Sequence, residues 1–290
     1  MPGAGGQRAL IETMQAEPDG LTVHIPHTRF MYWDILGTEV PGFTIDSATW
    51  LGALGGTPFT SGHYVRREFA TSYEEARQKA LDRGSPLNDA GTEVGDSKAR
   101  AGEFLKFLGE PVNVIYGYGG TSEVAAAWDR GELDLTDTAS PDFAPRLFPE
   151  WIEQKVPYPL FYTETPPEED PVFMEWMETL DTPVPPHIYD IVDTEQWQRD
   201  TYDLVLDLGQ LTTRPFVMPP GIPEDIETVW RDAIKSVSED PLFLELAANA
   251  GYDTGYTAPD VMVEGFLDGQ GLLEDPRVLE LFQIMVGDVN

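Results

Sequence analysis

Twice in this chain a glycine-bounded loop empties straight into a capped helix, and that arrangement restricts the fold more than any other feature. The fuller instance is VNVIYGYGGTSEVAAAWDRGEL, residues 112–133. Its apolar run reads as a strand, Gly119 and Gly120 let backbone approach backbone, Thr121 or Ser122 can cap the helix, and Gly131 ends it. The other is GTEVGDSKARAGEFL, residues 91–105, where residues 91–95 lead into a helix expected to begin near Asp96 and Ser97. A helix start of this kind gathers free N–H groups at the positive end of the dipole and accepts a carboxylate or phosphate. The plainer alternative is that Asp96 or Ser97 simply caps the helix. Glu93 and Asp96 oppose an external anion there unless they point outward.

The rest of the chain alternates in the same way. Helical periodicity marks QRALIETMQ, SYEEARQKAL, DSKARAGEFLKFLG, VFMEWMETL, TEQWQRDTYDLVLDLG and EDIETVWRDAIKSVSE, with further helices at DPLFLELAANAG and PDVMVEGFLDG. GLTVHIP, ATWLGALGG and HYVRREF read as strands. YTETPPEEDP and DTPVPPHIYD read as exposed connections, and four prolines keep RPFVMPPGIP extended. Strands alternating with helices predict an α/β fold with parallel sheets. At 290 residues, two lobes are the better expectation than one.

Charge narrows the possible partners. There are 51 acidic residues against 18 basic ones, a formal net charge of −33 spread along the chain. Such a field repels polyanions, which argues against nucleic acid. Only five of the basic residues are lysines (Lys79, Lys98, Lys106, Lys155 and Lys235). An acid-rich, lysine-poor surface suits solubility in concentrated salt, so a halophilic source is expected. No run of about 18 uncharged apolar residues exists, so direct membrane insertion is not expected. The chain has no cysteine, which excludes disulfides and thiolate metal sites.

No catalytic constellation emerges. His24, His27, His63 and His187 lack metal-ligand spacing, and TPFTSGHY is not a nucleophile elbow. GYGGTS has neither the dinucleotide-binding spacing nor a following acid. The expectation is therefore no enzyme, no cofactor and no metal. Tyr116 and Tyr118 could line a cleft or simply pack.

Four blocks taken together carry a resemblance: PGAGG before a helix and PDGLTV, then GYGGTSEVAAAWDRGELD, then RPFVMPPGIPEDI, then DPLFLELAANAGYD. In this order and at about this spacing, from Pro2 to about Asp253, they resemble the solute-binding proteins of tripartite tricarboxylate transporters, the TctC or Bug-like family. The resemblance implies a two-lobed, type II periplasmic-binding-protein-like fold, each lobe a mostly parallel sheet flanked by helices. Such lobes close over a small organic carboxylate of the di- or tricarboxylate type. It further implies delivery to the membrane subunits of the transporter and an extracytoplasmic location, in the periplasm or at the cell surface. On this reading residues 1–84 and 214–290 form lobe 1 and residues 85–213 form lobe 2, with hinges near 84–90 and 210–218. In the family, the PGAGG block follows an export signal and a first strand, loop and helix. The expectation is thus of a first lobe lacking its first strand or strands, with lowered stability and weak binding.

The ligand contacts implied by the resemblance are His27, Thr28 and Arg29 from one lobe. Arg29 is the best carboxylate partner because its fork can donate two parallel hydrogen bonds. From the other lobe come Thr92, Gly95, Asp96, Ser97, Tyr118, Thr138 and Ser140. Glu93 and Asp96 depart from the small residues common in that family loop, which leaves the ligand's identity open. Arg214 matches a family arginine and is read as structural. A ligand-sensing or signalling protein of the same fold, or a fragment without function, are the alternative readings.

Overall fold

The computed structural model describes residues 6–55, 59–249 and 254–287. Part of the DPLFLELAANAG reading, its last residues, lies outside them. In chain order the first half carries α1 (Gln7–Met14), α2 (Arg29–Ile35), β1 (Thr49–Leu54), β2 (Thr60–Arg66), α3 (Tyr73–Arg83), β3 (Leu87–Ala90), α4 (Arg100–Phe107), β4 (Val112–Ile115) and α5 (Thr121–Asp129). Then follow α6 (Ala144–Leu147), α7 (Pro149–Glu153), β5 (Pro157–Glu164), α8 (Pro171–Leu180), α9 (Ile188–Ile191) and α10 (Gln196–Leu211). The chain finishes with β6 (Arg214–Met218), α11 (Glu224–Glu239), α12 (Pro241–Asn249), β7 (Tyr256–Thr257), α13 (Pro259–Leu272) and α14 (Pro276–Val286). It divides into two compact units: Met1–Thr57, Leu204–Leu279 and Asp288–Asn290 in the first, Pro58–Asp203 and Glu280–Gly287 in the second.

In the first unit β1 is the middle of a three-stranded sheet, ordered β6-β1-β7, with both pairings antiparallel. Gly52 sits at φ 114° at the bulge in β1, and a Cβ there would lie 2.8 Å from the Tyr256 ring and 2.9 Å from the Thr257 carbonyl oxygen. Glycine is what lets β7 close on β1. One face is covered by the apolar stripe of α11: Ile226, Trp230 and Ile234 recur every fourth residue and meet Leu51, Leu54, Met218 and Ile222. Two clamps fix that helix, Trp230 Nε1 donating to the Gly20 carbonyl at 3.1 Å and Arg231 Nε to the Trp50 carbonyl at 3.0 Å. α2 and α13 meet through Tyr32 and Phe266, 5.6 Å between ring centroids.

The second unit holds two short sheets, an antiparallel β2–β5 pair and a parallel β3–β4 pair. Its core gathers Val124 and Trp128 of α5, Trp151 of α7, and Phe173, Trp176 and Leu180 of α8, with Tyr64 of β2. Trp128 is fully buried, meets Trp151 edge-on at 4.8 Å, and donates from Nε1 to the Asp134 carbonyl. Arg66 lies over its ring and donates to the Trp128 and Leu133 carbonyls. Sequence signals act locally as expected at α3: Ser72 accepts from Glu75 N, Glu75 accepts from Thr71 N, and Gly84 ends the helix at φ 66°.

Three expectations are corrected. Among the described ladders only β3–β4 is parallel, so neither unit is a mostly parallel sheet. A single short helical crossover joins those two strands, whereas the partners of β1 and β2 return from far downstream, where nothing imposes the same direction. The boundaries also differ: β2 and α3 belong to the second unit, because β2 ladders with β5 and His63 stacks on Phe161. Residues 84–90 and 210–218 each lie inside one unit, and the chain passes between units at 57/58, 203/204, 279/280 and 287/288. Finally, GLTVHIP makes a single bridge, His24 to Val217, not a strand. Pro26 has no N–H to extend the ladder.

Removing Trp128 would leave an indole-sized cavity and an unmet carbonyl in the second unit. Trp128→Ala is expected to cost about 3–5 kcal/mol, read as a lowered urea midpoint. A loss under about 1 kcal/mol would show that Trp128 does not organise this core.

Candidate functional site

The densest collection of polar chemistry lies in the second unit, on the segments leaving β3 and β4 and on residues 134–140. The loop after β3 does not open directly into α4. A 3-10 turn (Ser97–Ala99) intervenes, and Asp96 is its N-cap. Thr92 donates to Asp96 Oδ2 from its backbone N and its hydroxyl, both at 2.7 Å, and Lys98 N donates to Oδ1 at 3.2 Å. Lys98 Nζ stands 3.9 Å from the same oxygen. Burial alone would raise the Asp96 pKa, but the Lys98 charge and the Thr92 bonds outweigh it and hold the carboxyl below its ordinary value. The mouth of this turn therefore already contains a carboxylate, the protein's own. Gly95, at φ 83°, fixes the loop against the chain's end: a Cβ there would fall 2.1 Å from the Val286 carbonyl oxygen.

The pattern recurs at α5, where Glu123 accepts from Gly119 N at 2.7 Å, and at α3, where Glu75 accepts from Thr71 N at 2.8 Å. In all three cases an acid four residues onward takes the loop N–H. The first unit differs: α1 and α2 have no acid in their first turns and no side-chain cap. Their starts are close together, the Cβ position of Gly6 being 3.9 Å from the Phe30 ring.

The expected contact residues are distributed as follows. His27 is exposed and its Nδ1 accepts from Arg29 N at 3.2 Å. Thr28 donates to the Thr212 carbonyl at 2.8 Å. Arg29 opens α2, is 6% exposed, and lays its guanidinium over Phe30 and Trp33 at 5.1 and 5.4 Å. Thr92, Gly95 and Asp96 are joined in the loop just described, while Ser97 is exposed. Tyr118 is half-buried against the second unit's core. Burial, then Glu132, raises its pKa. Thr138 is wholly buried, its hydroxyl 2.7 Å from that of Thr136. Ser140 starts the turn into α6 by accepting from Ala144 N at 3.0 Å, and its Oγ is buried with no partner among the described residues. Arg214 opens β6 opposite Leu54.

Several polar residues here escaped the sequence reading. Asp89 is 1% exposed: Oδ1 accepts from Ala90 N at 2.9 Å, and Oδ2 has no hydrogen-bond partner among the described residues. Burial raises its pKa well above the ordinary value, and Asp137, Glu103 and Asp96 add to the effect. Gly102 makes room for it, since a Cβ there would lie 2.4 Å from Oδ2. Glu103 is also buried and accepts from the Tyr116 hydroxyl at 2.8 Å. His63 is stacked on Phe161, and burial takes its pKa down to about 4 against the weaker pull of the Lys98 backbone. Burial holds Asp137 up at about 6, although Lys98 draws it down. The available signals were an acid in the short strand LNDA, an Asp-x-Lys after a glycine, and an acid inside TDTAS.

No protein-family profile matches the chain, and no curated protein matches it in sequence. Solved structures do match it. A R. palustris protein, Rpa4515 with adipate, is similar over 97% of this chain and 84% of its own, at TM-score 0.61 and 15% identity. A TctC solute binding protein from Polaromonas is similar over 94% and 84%, at TM-score 0.56 and 14% identity. MatC of Rhodopseudomonas palustris with bound malate is similar over 98% and 86%, at TM-score 0.59 and 14% identity. The chain has the periplasmic binding protein fold. The structural neighbours are solute-binding proteins, not enzymes.

The raised pKa of Asp137 sets a direction for stability. The folded chain holds this proton more tightly than the unfolded chain, whose value is near 3.8. The resulting stabilisation is complete below about pH 4 and is lost as pH rises through 6. Asp137→Asn should therefore gain roughly 2–3 kcal/mol over the parent between pH 4 and pH 7, measured as the difference in urea midpoints. A difference that does not vary with pH would remove Asp137 as the source.

Proposed function

We propose that this chain is an extracytoplasmic solute-binding protein that captures a small organic carboxylate for the membrane subunits of a tripartite tricarboxylate transporter. The observation that carries this reading is the fold match along nearly the whole chain to binding proteins solved with adipate and with malate. The four sequence blocks in family order support it independently. Among the described residues no helix is long and apolar enough to cross a membrane, in keeping with a protein that hands its solute to separate membrane subunits.

Each unit, taken by itself, carries groups suited to an anion. In the first, α1 and α2 have no acid in their first turns, and Arg29 opens α2. In the second, Lys98 is the cation of the loop after β3, its side chain only 17% exposed. Its flank toward Asp96 makes a long contact at 3.9 Å, which leaves the ammonium with donors to spare. On this reading the ligand contacts are drawn from Thr92, Gly95, Asp96, Ser97, Tyr118, Thr138 and Ser140, with Asp96 the anion already built into the loop.

Thermal unfolding in the presence of adipate or malate tests the reading. Binding should raise the melting temperature with concentration, by the equivalent of about 2.7 kcal/mol at a hundred times Kd. Lys98→Met should weaken binding at least tenfold, about 1.4 kcal/mol. No stabilisation by any di- or tricarboxylate would exclude it. A halophilic origin predicts that stability falls on dilution from molar to millimolar salt, as the repulsion of a −33 chain loses its screening. Equal melting temperatures at the two salt levels would count against that origin.

A further inference from the structure

A cavity of about 400 Å³ lies in the second unit, apart from the polar segments after β3 and β4. Its walls are the start of α3 (residues 71–74), residues 158–160 of β5, the proline-rich stretch 183–186, and Asp190 and Ile191 at the end of α9. α4 sets the separation. Tyr73, in the wall, donates from its hydroxyl to Glu110 beyond the C-terminal end of that helix, whereas Asp96 and Lys98 precede its start. Eight helical residues span about 12 Å.

The chemistry of the wall is one-sided. Four of its thirteen residues are prolines, which bring no N–H. Pro159 faces Tyr64 across the ladder, and Tyr64 turns its own N–H and carbonyl to Thr136, away from β5. The two therefore share no hydrogen bond, and the Pro159 carbonyl points to the outer edge of β5. Glu74 and Asp190 are the charged residues of the wall, and no lysine, arginine or histidine lines it among the described residues. The cations of α3 are committed elsewhere, Arg77 to Glu110 at 2.7 Å and Lys79 to Glu75 at 2.8 Å. Arg67 lies over the Tyr158 ring, 5.2 Å from its centroid, and spends its donors on the Lys155 and Leu180 carbonyls. The start of α3 is capped from within, Ser72 accepting from Glu75 N and Glu75 from Thr71 N.

We infer that this cavity is a second binding site, for an aliphatic cation: an ammonium or guanidinium group on a short hydrocarbon stem. The stem packs on Leu160, Val184, Ile191 and the proline rings, and the head donates to Glu74, Asp190 and the Pro159 carbonyl. An ammonium brings three donors and a guanidinium five, the complement of a wall that offers acceptors. A carboxylate brings none and meets two like charges. A neutral alcohol brings one donor without charge, and a charge-assisted bond is about twice as strong as a neutral one. The volume is sufficient, since pockets for small molecules begin at about 300 Å³. This site lies beyond the carboxylate reading and does not rest on it.

Calorimetric titration of the full chain with n-butylammonium, n-butylguanidinium, 1-butanol and butyrate, all at one ionic strength, tests this. The stems match, so the head group decides. The two cations should bind about tenfold or more tighter than butanol and butyrate. The double variant Glu74→Gln, Asp190→Asn, checked for folding by its ligand-free melting temperature, should lose about tenfold in cation affinity. A chain of net charge −33 attracts any cation, so a second double variant serves as the control. Asp232→Asn, Glu239→Gln removes the same charge from exposed positions of α11 in the first unit, and should bind the cations as the parent does. Equal losses in the two double variants would reduce the effect to bulk attraction and overturn the inference. So would butanol or butyrate binding as tightly as the cations, or no cation binding at all. The carboxylate reading is tested by adipate and malate and stands or falls separately.

Discussion

Asp96 accepting from Thr92 and Lys98 is the contact on which the second unit's polar surface depends. In a chain with this excess of acids, carboxylates cannot all find cations, and many find backbone N–H groups instead. Glu75 and Glu123 do so at α3 and α5, and Asp170 does so at α8, accepting from Val172 N and Phe173 N. Asp240 repeats it before α12. Each such carboxylate satisfies donors that a helix start leaves open, and each lies where the dipole favours negative charge. An acid-rich composition is thereby turned into helix stability, at about 0.5–2 kcal/mol per cap. These helix starts are therefore already occupied by the chain's own carboxylates.

Basic side chains follow the complementary rule. Several arginines serve as clamps on carbonyls: Arg66 on Trp128 and Leu133, Arg67 on Lys155 and Leu180, Arg231 on Trp50. Arg83 combines the two roles, gripping both oxygens of Asp134 at 2.9 and 2.6 Å while also donating to the Pro86 carbonyl. Planar, multi-donor guanidinium suits this work better than ammonium does. Against that background Lys98 stands apart, a largely buried lysine with no carbonyl clamp and a single long ionic contact.

The helices were legible where periodicity and caps agreed. α3 carries Ser72, Glu75 and Gly84 in register, and α11 carries Ile226, Trp230 and Ile234 on one face, so local sequence alone fixes both. Strand direction was not legible, because β1 and β2 pair with segments far away and their short sequences say nothing about which way a partner runs. The division into units failed for the same reason: His63 and Tyr64 commit β2 to β5 through contacts that only the folded chain brings together. At the candidate site, the competing reading of Asp96 as a cap is the one the geometry realises. Lys98 and Asp137 were missed because a single lysine and a single aspartate in an acidic chain look like solvated surface until their burial is known.

Burial also separates the site from the bulk charge. At molar salt the Debye length is about 3 Å, so repulsion among exposed acids such as Glu74 and Asp82 is nearly abolished. Lys98, Asp96 and Asp89 are sheltered from ions by the protein around them, and their mutual interactions persist at the same salt level. Salt therefore tunes the stability of the fold and the chemistry of this corner to different degrees. An acid-saturated chain can thereby keep a few charge contacts intact in concentrated salt, by holding them at positions that the salt does not reach.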